Sequence, residues 1–309
     1  SNIYDPGSTF KSIMAAIGFD SGSFNENTWV PVPGTGTYPV SGIPIRDWCL
    51  SSCPYSGTSL NVDRMLHYSS NIAATEFDQR IPATTFYAYL QKFGFGQPTG
   101  VDLAGEINGG FVGLNNKVPA WEPIDKATIA YGQGISVTPL QLANAYAALA
   151  NGGKLMVPHT VQSYTLDGKT VPIPAQVQQH PISSSVSDTI SNILVHSSID
   201  GEACGALVPG YDVAAKTGTT TLYDGSNATI ASTTAYGPVN MPPDKQFVVL
   251  MVLHKPSNQF GSETAAPAVH TILQLLFNYY HRPPNQPYWQ DQSPLQQPAR
   301  RCRAPLAAN

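Results

Sequence analysis

The spacing of apolar residues along the chain predicts helices first, strands late and a helix at the end of the domain. A helix begins after Pro6-Gly7, because apolar residues then recur at helical intervals until Gly18. A second clear helix follows Thr138, where a capping box with proline at the first helical position precedes an apolar stripe that stops at Gly152. Further helices are predicted over residues 59–68, 72–79, 82–93, 185–197 and 263–280.

In the second half of the chain the helical spacing gives way to shorter segments separated by Gly, Asn and Pro turns, which predict strands. Residues 155–161 and 162–171 are predicted to form a strand pair with its turn at Asp167-Gly168. Early helices, late strands and a closing helix together predict an α+β fold with an antiparallel sheet. Its three strands, joined by Gly, Asn and Pro turns, are predicted over residues 213–221, 230–236 and 246–254.

Two segments lack helix or strand periodicity. Residues 20–58 are rich in Gly, Pro, Ser and Asn, which predicts turns and a small hairpin lobe. A loop of this length is uncommon in a compact domain unless it borders a functional site, so we expect it near one. From residue 282 onward Pro and Gln dominate, and this composition predicts an extended or disordered tail.

The composition indicates one large globular unit with a weakly charged surface. The 309 residues are enough to bury a substantial core, and only 12% are Asp, Glu, Lys or Arg, against about 25% in an average protein. The net charge is −4 and the first basic pair is Arg300-Arg301, so we do not expect nucleic acid as a partner. The longest apolar run, residues 247–253, is far shorter than the roughly 20 residues that span a bilayer.

The four cysteines leave two interpretations open. Cys49, Cys53, Cys204 and Cys302 lack the doubled two-residue spacing of a zinc knuckle, so no metal site is expected. Either Cys49 pairs with Cys53, or Cys204 with Cys302, in a disulfide, or the thiols are buried and free. The low charge and the abundance of Ser, Thr and Asn favour an extracytoplasmic protein, in which disulfides persist.

The first candidate for chemistry is Ser8-Thr9-Phe10-Lys11 at the start of the first predicted helix. Residues three apart project from the same helix face, so the Ser8 hydroxyl and the Lys11 amine are expected to meet. A lysine kept neutral by burial or by a cationic neighbour can take the proton of a serine nucleophile. The helix N-terminus adds amide donors beside that nucleophile. Alone, this pattern also fits a capping serine with a solvated lysine.

The second candidate is Ser69-Ser70-Asn71, which lies between two predicted helices. Short polar side chains in such a turn can face a cleft, where a hydroxyl relays protons and an amide holds a substrate carbonyl. Taken alone, the segment is a polar turn.

The third candidate is Lys216-Thr217-Gly218-Thr219 in the first of the late strands. Gly218 removes a side chain, so that another backbone can approach the strand, and Lys216 offers a fixed cation.

The three motifs occur in the order, and on the helix, turn and strand, that the motif set of serine acyl-transfer enzymes requires. Their combination resembles the transpeptidase domain of penicillin-binding proteins, in particular the class B, monofunctional kind. The resemblance runs from about residue 3 to about residue 280 and includes residues 4–11, 100–106, 131–134 and 138–143. It implies the fold shared by these transpeptidases and serine β-lactamases, an antiparallel sheet flanked by helices with an all-helical lobe.

The resemblance assigns roles to the residues of the first two motifs. Ser8 would attack the penultimate D-Ala carbonyl of a peptidoglycan stem peptide, with Lys11 as its base. Ser69 would pass the proton to the leaving amine, and Asn71 would hold both the substrate amide and Lys11.

The third motif is expected to bind the end of the substrate. Lys216, Thr217, Gly218 and Thr219 would receive its terminal carboxylate, and the backbone amides of Ser8 and Thr219 would form the oxyanion hole. Such donors are typically worth a factor of about 10²–10³ each. The mechanism needs no metal and no cofactor, and a β-lactam would mimic the substrate and acylate Ser8.

The resemblance also implies a domain organisation. Residues 1–281 would form the transpeptidase domain, with 20–58 a loop-rich insertion near the cleft, and 282–309 would form the tail. In the family, strands of the central sheet precede the active-site helix by several tens of residues, whereas seven residues precede Ser8 here. We therefore expect the chain to lack those strands, the membrane anchor and an N-terminal module. The full-length protein is expected on the extracytoplasmic face of the bacterial cell membrane, with a glycosyltransferase partner.

Three other functions remain open. A serine β-lactamase shares the fold but hydrolyses its acyl-enzyme with a dedicated carboxylate, and Glu122 superficially resembles such a residue. Ser70 stands where the commonest β-lactamase motif has an aspartate, which favours the transpeptidase interpretation. A D,D-carboxypeptidase would pass the acyl group to water. A catalytically silent module would use the same cleft to sense a muropeptide or a β-lactam.

Overall fold

A computed structural model of the chain describes residues 3–112, 114–115, 118–119, 121–222 and 224–286. Every predicted helix is confirmed, with ends shifted by a few residues. The helices within the described residues are α1 (Lys11–Asp20), α2 (Val62–Tyr68), α3 (Asn71–Asp78), α4 (Ala83–Lys92), α5 (Pro123–Ala130), α6 (Pro139–Ala150), α7 (Ser184–Asp200) and α8 (Gly261–Tyr279).

Helix α5 is an element that the hydrophobic pattern did not predict. Its start has a clear local cause, because the Asp125 carboxylate accepts a hydrogen bond from the Glu122 amide at 3.1 Å, and Pro123 occupies the first helical position. Eight residues with few apolar positions give too weak a periodic signal.

Most strands are short and pair as separate ribbons, and one larger sheet lies at the end of the chain. The short pairs are β1 (Val30–Pro31) with β4 (Ser59–Leu60), β2 (Thr37–Val40) with β3 (Ile43–Arg46), β5 (Gly110–Phe111) with β8 (Ile135–Ser136), β6 (Leu114–Asn115) with β7 (Val118–Pro119), β9 (Leu155–Met156) with β12 (Val177–Gln179), and β10 (Ser163–Leu166) with β11 (Lys169–Pro172). The sheet has the antiparallel order β13 (Ala214–Thr221), β14 (Thr229–Gly237), β15 (Phe247–His254).

Both faces of the sheet are covered by other parts of the domain. Successive side chains along a strand point to opposite faces, so each strand contributes residues to both cores. Ala215 and Ala235 lie opposite each other and pack with Val249 against the helix α8 side. Ala214 and Tyr236 point to the other face, into the larger core built on the helices. Helices with an antiparallel sheet make the fold α+β, as predicted.

The predicted pairing of residues 155–161 with residues 162–171 is wrong. The turn at Asp167-Gly168 does form, and both residues have positive φ, of 50° and 75°. A two-residue turn of this kind pairs the residues directly beside it, so β10 pairs with β11 and β9 is left to pair with β12.

The segment 20–58 forms the small hairpin that its composition predicts, together with a disulfide. Strands β2 and β3 pair across a tight turn, and Cys49 bonds to Cys53 with the two Cα atoms 5.0 Å apart. One of the two proposed pairings is therefore confirmed. The other includes Cys302, which lies outside the described residues.

The predicted tail is described only over residues 282–286. Asn285 fastens this part to the domain, because its amide nitrogen donates to the Val239 carbonyl at 2.7 Å and its oxygen accepts from the Asp212 amide at 2.8 Å. Residues 287–309 lie outside the described part of the chain. Within the described part, none of the helices combines the length and the apolar character that crossing a bilayer requires.

Candidate active site

The three motifs meet at one cleft of about 220 Å³. Ser8 lines it from the turn before α1, Ser69 and Asn71 from the turn between α2 and α3, and residues 217–219 from β13. The other lining residues are Gly7, Trp48, Tyr131, Gln133, Gly201, Glu202, Cys204, Gly205, Phe260, Ser262 and Glu263. Segments more than 200 residues apart therefore build a single site.

Ser8 and Lys11 are in direct contact. Residues Gly7–Phe10 form a turn of 3-10 helix that continues into α1, and side chains three apart in such a turn lie one above the other. The Lys11 ammonium nitrogen Nζ is 2.9 Å from Ser8 Oγ. The hydroxyl is half-buried and faces the cleft, so it is accessible to a ligand.

Lys11 is completely buried, because α1 is enclosed on every side. The sequence predicts an apolar back for this helix, but all residues from Lys11 to Gly18 are buried. Burial, and then the positive charge of Lys216, lower the pKa of Lys11 to about 7, while Asp47 and Glu202 act in the opposite direction. A substantial fraction of Lys11 is therefore neutral near pH 7 and able to accept a proton.

Ser69 is the residue on which both lysines converge. It ends α2 in the left-handed conformation, with φ 58°, and is buried. Its Oγ lies 3.3 Å from Lys11 Nζ and 2.8 Å from Lys216 Nζ, and its carbonyl oxygen accepts from Lys11 at 2.5 Å. Ser8, Lys11, Ser69 and Lys216 thus form a continuous chain of hydrogen bonds.

Asn71 begins α3 at the wall of the cleft. Its side-chain nitrogen donates to the carbonyl oxygen of Arg46 at 3.0 Å. Among the described residues, no hydrogen bond joins Asn71 to Lys11, so the predicted contact between these two stays a prediction.

Lys216 reaches the site because of its position in the sheet. It follows Ala214 by two residues, so it points to the same face, toward the helical core, and is completely buried. Burial lowers its pKa to about 8, and Glu202 opposes that shift. The Glu202 carboxylate therefore favours the protonated form of Lys216.

Gly218 allows the strand to pack against the Ser8 segment. A Cβ at this position would lie 2.6 Å from Ser232 Oγ and 2.8 Å from the Pro6 carbonyl oxygen. The close approach predicted for this glycine is confirmed. Thr219 follows it, with a hydroxyl that accepts from the Gly261 amide at 3.3 Å.

Two carboxylates near the lysines were not recognised in the sequence. Glu202 lines the cleft, with Oε2 3.5 Å from the Thr217 hydroxyl oxygen and 4.0 Å from Lys216 Nζ. Burial raises the pKa of Glu202, while Lys216 and Lys11 lower it. Asp47 lies behind the Ser69 turn. Asp47 and Glu202 both lie next to turns rich in small residues. No hydrophobic periodicity in the sequence there distinguishes a buried acid from an exposed one.

Glu122 does not line the cleft. It is exposed at the start of α5 and is not among the described residues that line the site. Its hydrogen bonds are those of a helix start, and within the described residues none of them reaches Ser8, Lys11 or Lys216, so no contact supports the role of a water-activating carboxylate.

One aromatic residue of the loop-rich segment faces the cleft. Trp48 is 54% exposed and lines the site, whereas Tyr55 is buried and its ring lies 4.8 Å from that of Tyr68. The segment thus contributes both a rim residue and part of the packing beneath the site.

Comparison with known proteins gives one consistent result. A family model described as the penicillin binding protein transpeptidase domain matches residues 1–274. The chain is similar to stage V sporulation protein D of Bacillus subtilis, with 32% identity over 88% of this chain and 42% of the relative. It is also similar to the peptidoglycan D,D-transpeptidase FtsI homolog of Mesostigma viride, with 27% identity over 93% of this chain and 51% of the relative.

A solved structure agrees with these relatives. Penicillin binding protein 3 from Mycobacterium tuberculosis, complexed with aztreonam, superposes with a TM-score of 0.77 at 26% identity. The match covers 93% of this chain and 65% of that one. The chain spans about half the length of the curated relatives it matches.

Proposed function

Since the chain belongs to the family of penicillin-binding protein transpeptidase domains, we propose that it is a peptidoglycan D,D-transpeptidase that works through Ser8. The observation that carries the proposal is the hydrogen-bonded series at the cleft, with Ser8 Oγ 2.9 Å from Lys11 Nζ and Ser69 Oγ between the two lysines. A nucleophile, a base of lowered pKa and a proton relay are what acyl transfer requires.

In the first half of the reaction, Lys11 takes the proton of the Ser8 hydroxyl as Oγ attacks the penultimate D-Ala carbonyl carbon. The tetrahedral oxyanion rests between the backbone amides of Ser8 and Thr219. When it collapses, the peptide C–N bond breaks, and Lys11 returns the proton through Ser69 to the departing D-Ala amine. An ester between Ser8 and the stem peptide remains.

In the second half, an acceptor amine attacks that ester. The new amide bond cross-links two peptides, and the Ser8 oxygen regains its proton. The substrate is oriented by Asn71, which holds its amide, and by Lys216 with residues 217–219, which bind its terminal carboxylate as a charge-assisted pair.

The same cleft would accept a β-lactam, as in the relative complexed with aztreonam. The drug carbonyl would acylate Ser8, and its carboxylate would occupy the position beside Lys216. Because no small amine departs, the ester persists and the enzyme is inhibited.

The proposal extends to the organisation of the protein. Residues 1–281 are assigned to the transpeptidase domain, with 20–58 as an insertion at its cleft and 282–309 as a tail. Peptidoglycan stem peptides are the substrates, at the extracytoplasmic face of the bacterial cell membrane, and a glycosyltransferase is the partner that supplies the glycan strands.

The decisive experiment is intact-mass spectrometry of the chain after incubation with benzylpenicillin. We expect one stoichiometric adduct that persists for hours, is absent in Ser8→Ala and is unchanged in Ser52→Ala, an exposed serine outside the site. An adduct that is lost quickly while the drug is hydrolysed would instead establish a β-lactamase.

A second assay separates the remaining alternatives. With a thioester analogue of the D-Ala-D-Ala donor and a D-amino acid acceptor, a transpeptidase forms the exchanged product and a carboxypeptidase forms only the acid. A chain that takes up the penicillin adduct but turns over no donor would be a sensing module.

A further inference from the structure

A carboxylate outside the three motifs lies against the back of the Ser69 turn. Asp47 directly follows β3 and is buried, with 3% of its surface exposed. Its Oδ1 accepts the backbone N–H groups of Asn71 at 2.6 Å and Ile72 at 3.1 Å, and its Oδ2 accepts the Ser70 hydroxyl at 2.8 Å. One side chain of the loop-rich segment thus binds three consecutive residues of the active-site turn.

These contacts explain how a buried charge is tolerated at this point. A carboxylate removed from water is costly unless donors surround it, and here two of the donors are amides at the first turn of α3, where the helix dipole favours negative charge. The Tyr55 hydroxyl faces the same carboxylate, and burial followed by the charge of Asp47 raises the pKa of Tyr55.

The loop that carries Asp47 is itself fixed on both sides. The Leu50 amide donates to the Asp47 carbonyl at 3.1 Å, and the Cys49–Cys53 disulfide closes the next turn. On the other side, the Arg46 carbonyl accepts from the Asn71 side chain. Asp47 is therefore a rigid support for the turn.

The turn needs such a support because Ser69 is held in an unusual conformation. Its φ of 58° belongs to the left-handed region, which a residue with a side chain rarely adopts. Both lysines bind Ser69, so a shift of residues 70–72 would move the acceptor on which Lys11 and Lys216 converge.

We propose that Asp47 is a positioning residue for acylation, which anchors the Ser69-Ser70-Asn71 turn and supplies negative charge behind Lys11. The inference rests on the proposed function of Ser8 and Lys11, and it adds a residue from the loop-rich segment to the machinery. Asp47 touches neither the substrate nor Ser8 in this role.

Several groups face Lys11, and their charges set the direction of a pH effect. Ser8 and Ser69 are neutral hydroxyls, Lys216 from β13 is cationic, and Glu202 and Asp47 are anionic. Burial and Lys216 lower the pKa of Lys11, whereas Asp47 and Glu202 raise it. Loss of the Asp47 charge should therefore lower the pKa of Lys11 further, and the base should become available at more acidic pH.

The test compares Asp47→Asn and Asp47→Ala in the full chain, with Asp63→Asn as the control for a partly exposed aspartate of α2. Asparagine keeps an oxygen for the two backbone amides but removes the charge. Alanine removes both. The readout is the second-order rate of benzylpenicillin acylation between pH 5 and 9, together with thermal unfolding.

We expect Asp47→Ala to lower the rate by about 100-fold, the effect of a misplaced group in the reacting assembly. Asp47→Asn should move the acidic limb of the profile to lower pH by about half a unit or more. A merely structural role would reduce the folded fraction, and hence the amount of adduct, without moving that limb.

Two results would overturn the inference. One is an Asp47→Asn profile whose acidic limb coincides with that of the wild type, which would show that the Asp47 charge has no effect on Lys11. This result needs only the Asn variant, so it overturns the inference even when Asp47→Ala does not fold. The other is a folded Asp47→Ala that reacts at the wild-type rate. A wild-type chain that forms no adduct would overturn the proposed function itself, and this inference with it.

Discussion

Two buried lysines occupy the same site but come from regions of very different kind. Lys11 lies in the first turn of a helix, three residues from its partner Ser8, and Lys216 lies in a strand, 147 residues from its partner Ser69. Both are completely buried and both bind Ser69 Oγ. Their chemistry differs because their neighbours differ.

The difference between the two lysines is one of electrostatic surroundings. Glu202 lies 4.0 Å from Lys216 and partly compensates for its burial, which leaves its pKa at about 8. Burial, together with the repulsion between the two ammonium groups, which acts on both lysines, lowers the pKa of Lys11 to about 7. The same residue type can therefore serve as a base in one region and as a fixed cation in the other.

The largest expected effect comes from removing the base. Lys11→Met keeps the volume of the side chain in its buried position and should lower the rate of acylation by benzylpenicillin by about 10³-fold, since general-base catalysis is worth about 10²–10⁴. Lys154→Met, at an exposed position, is the control. Stopped-flow or mass-spectrometric rates decide the point, and a loss of less than tenfold would mean that Lys11 is not the base.

Removing the cation should have a smaller effect that depends on the donor. Lys216→Met should lower the rate with benzylpenicillin by about 10²-fold, because a buried charge pair with the drug carboxylate is lost. The methyl ester of benzylpenicillin has no such carboxylate, so its rate should change much less when wild type and variant are compared at the plateaus of their pH profiles. Loss of the Lys216 charge raises the pKa of Lys11, and at the plateau that change no longer affects the rate. Lys169→Met, at an exposed position, serves as the control. Equal losses for the acid and the ester would contradict the assigned role.

The pH profile should show both lysines in one experiment. Acylation needs Lys11 neutral, so the rate should rise about tenfold per pH unit until the pKa of Lys11 at about 7. Acylation also needs Lys216 protonated, so the rate should fall above the pKa of Lys216, at about pH 8. A narrow bell between these values is the expected result of rate measurements from pH 5 to 10 at constant ionic strength. A flat profile would mean that the rate depends on the protonation of neither lysine, and the roles of base and fixed cation would not hold.

The contact between the two regions can be tested at Gly218. In Gly218→Ala the new methyl group would meet Ser232 Oγ and the Pro6 carbonyl, so we expect a loss of about 1–3 kcal/mol in the free energy of unfolding and about tenfold slower acylation. Gly110→Ala is the control, since a Cβ there meets nothing within 4 Å. Denaturant unfolding measures the first quantity. An unchanged stability would show that the strand and the Ser8 segment can separate without cost.

The smallest expected effect is that of the acid beside Lys216. Glu202→Gln removes the charge that raises the pKa of Lys216, so the alkaline limb of the acylation profile should move to lower pH, with a rate a few-fold lower near pH 8. Glu26→Gln, at an exposed position, should leave the limb in place. An alkaline limb that moves to higher pH in Glu202→Gln would show that Glu202 does not raise the pKa of Lys216.

The sequence alone determined the parts of this protein that depend on local spacing. A separation of three residues brings Ser8 and Lys11 together in any helical turn. The capping box at Thr138 specifies the start of α6, and the short segments between Gly, Asn and Pro turns predicted the three late strands. The resemblance carried by the three motifs led to the right family.

Tertiary structure decided everything that depends on distant neighbours. The hydrophobic pattern could not show that α1 is enclosed on all sides, which pair β9 joins, or that Asp47 and Glu202 lie beside the lysines. Each of these depends on which segments exclude water from one another, and such contacts join residues far apart in the chain. The lowered pKa values of Lys11 and Lys216 have the same origin, because desolvation is a property of the folded core rather than of the sequence around a residue.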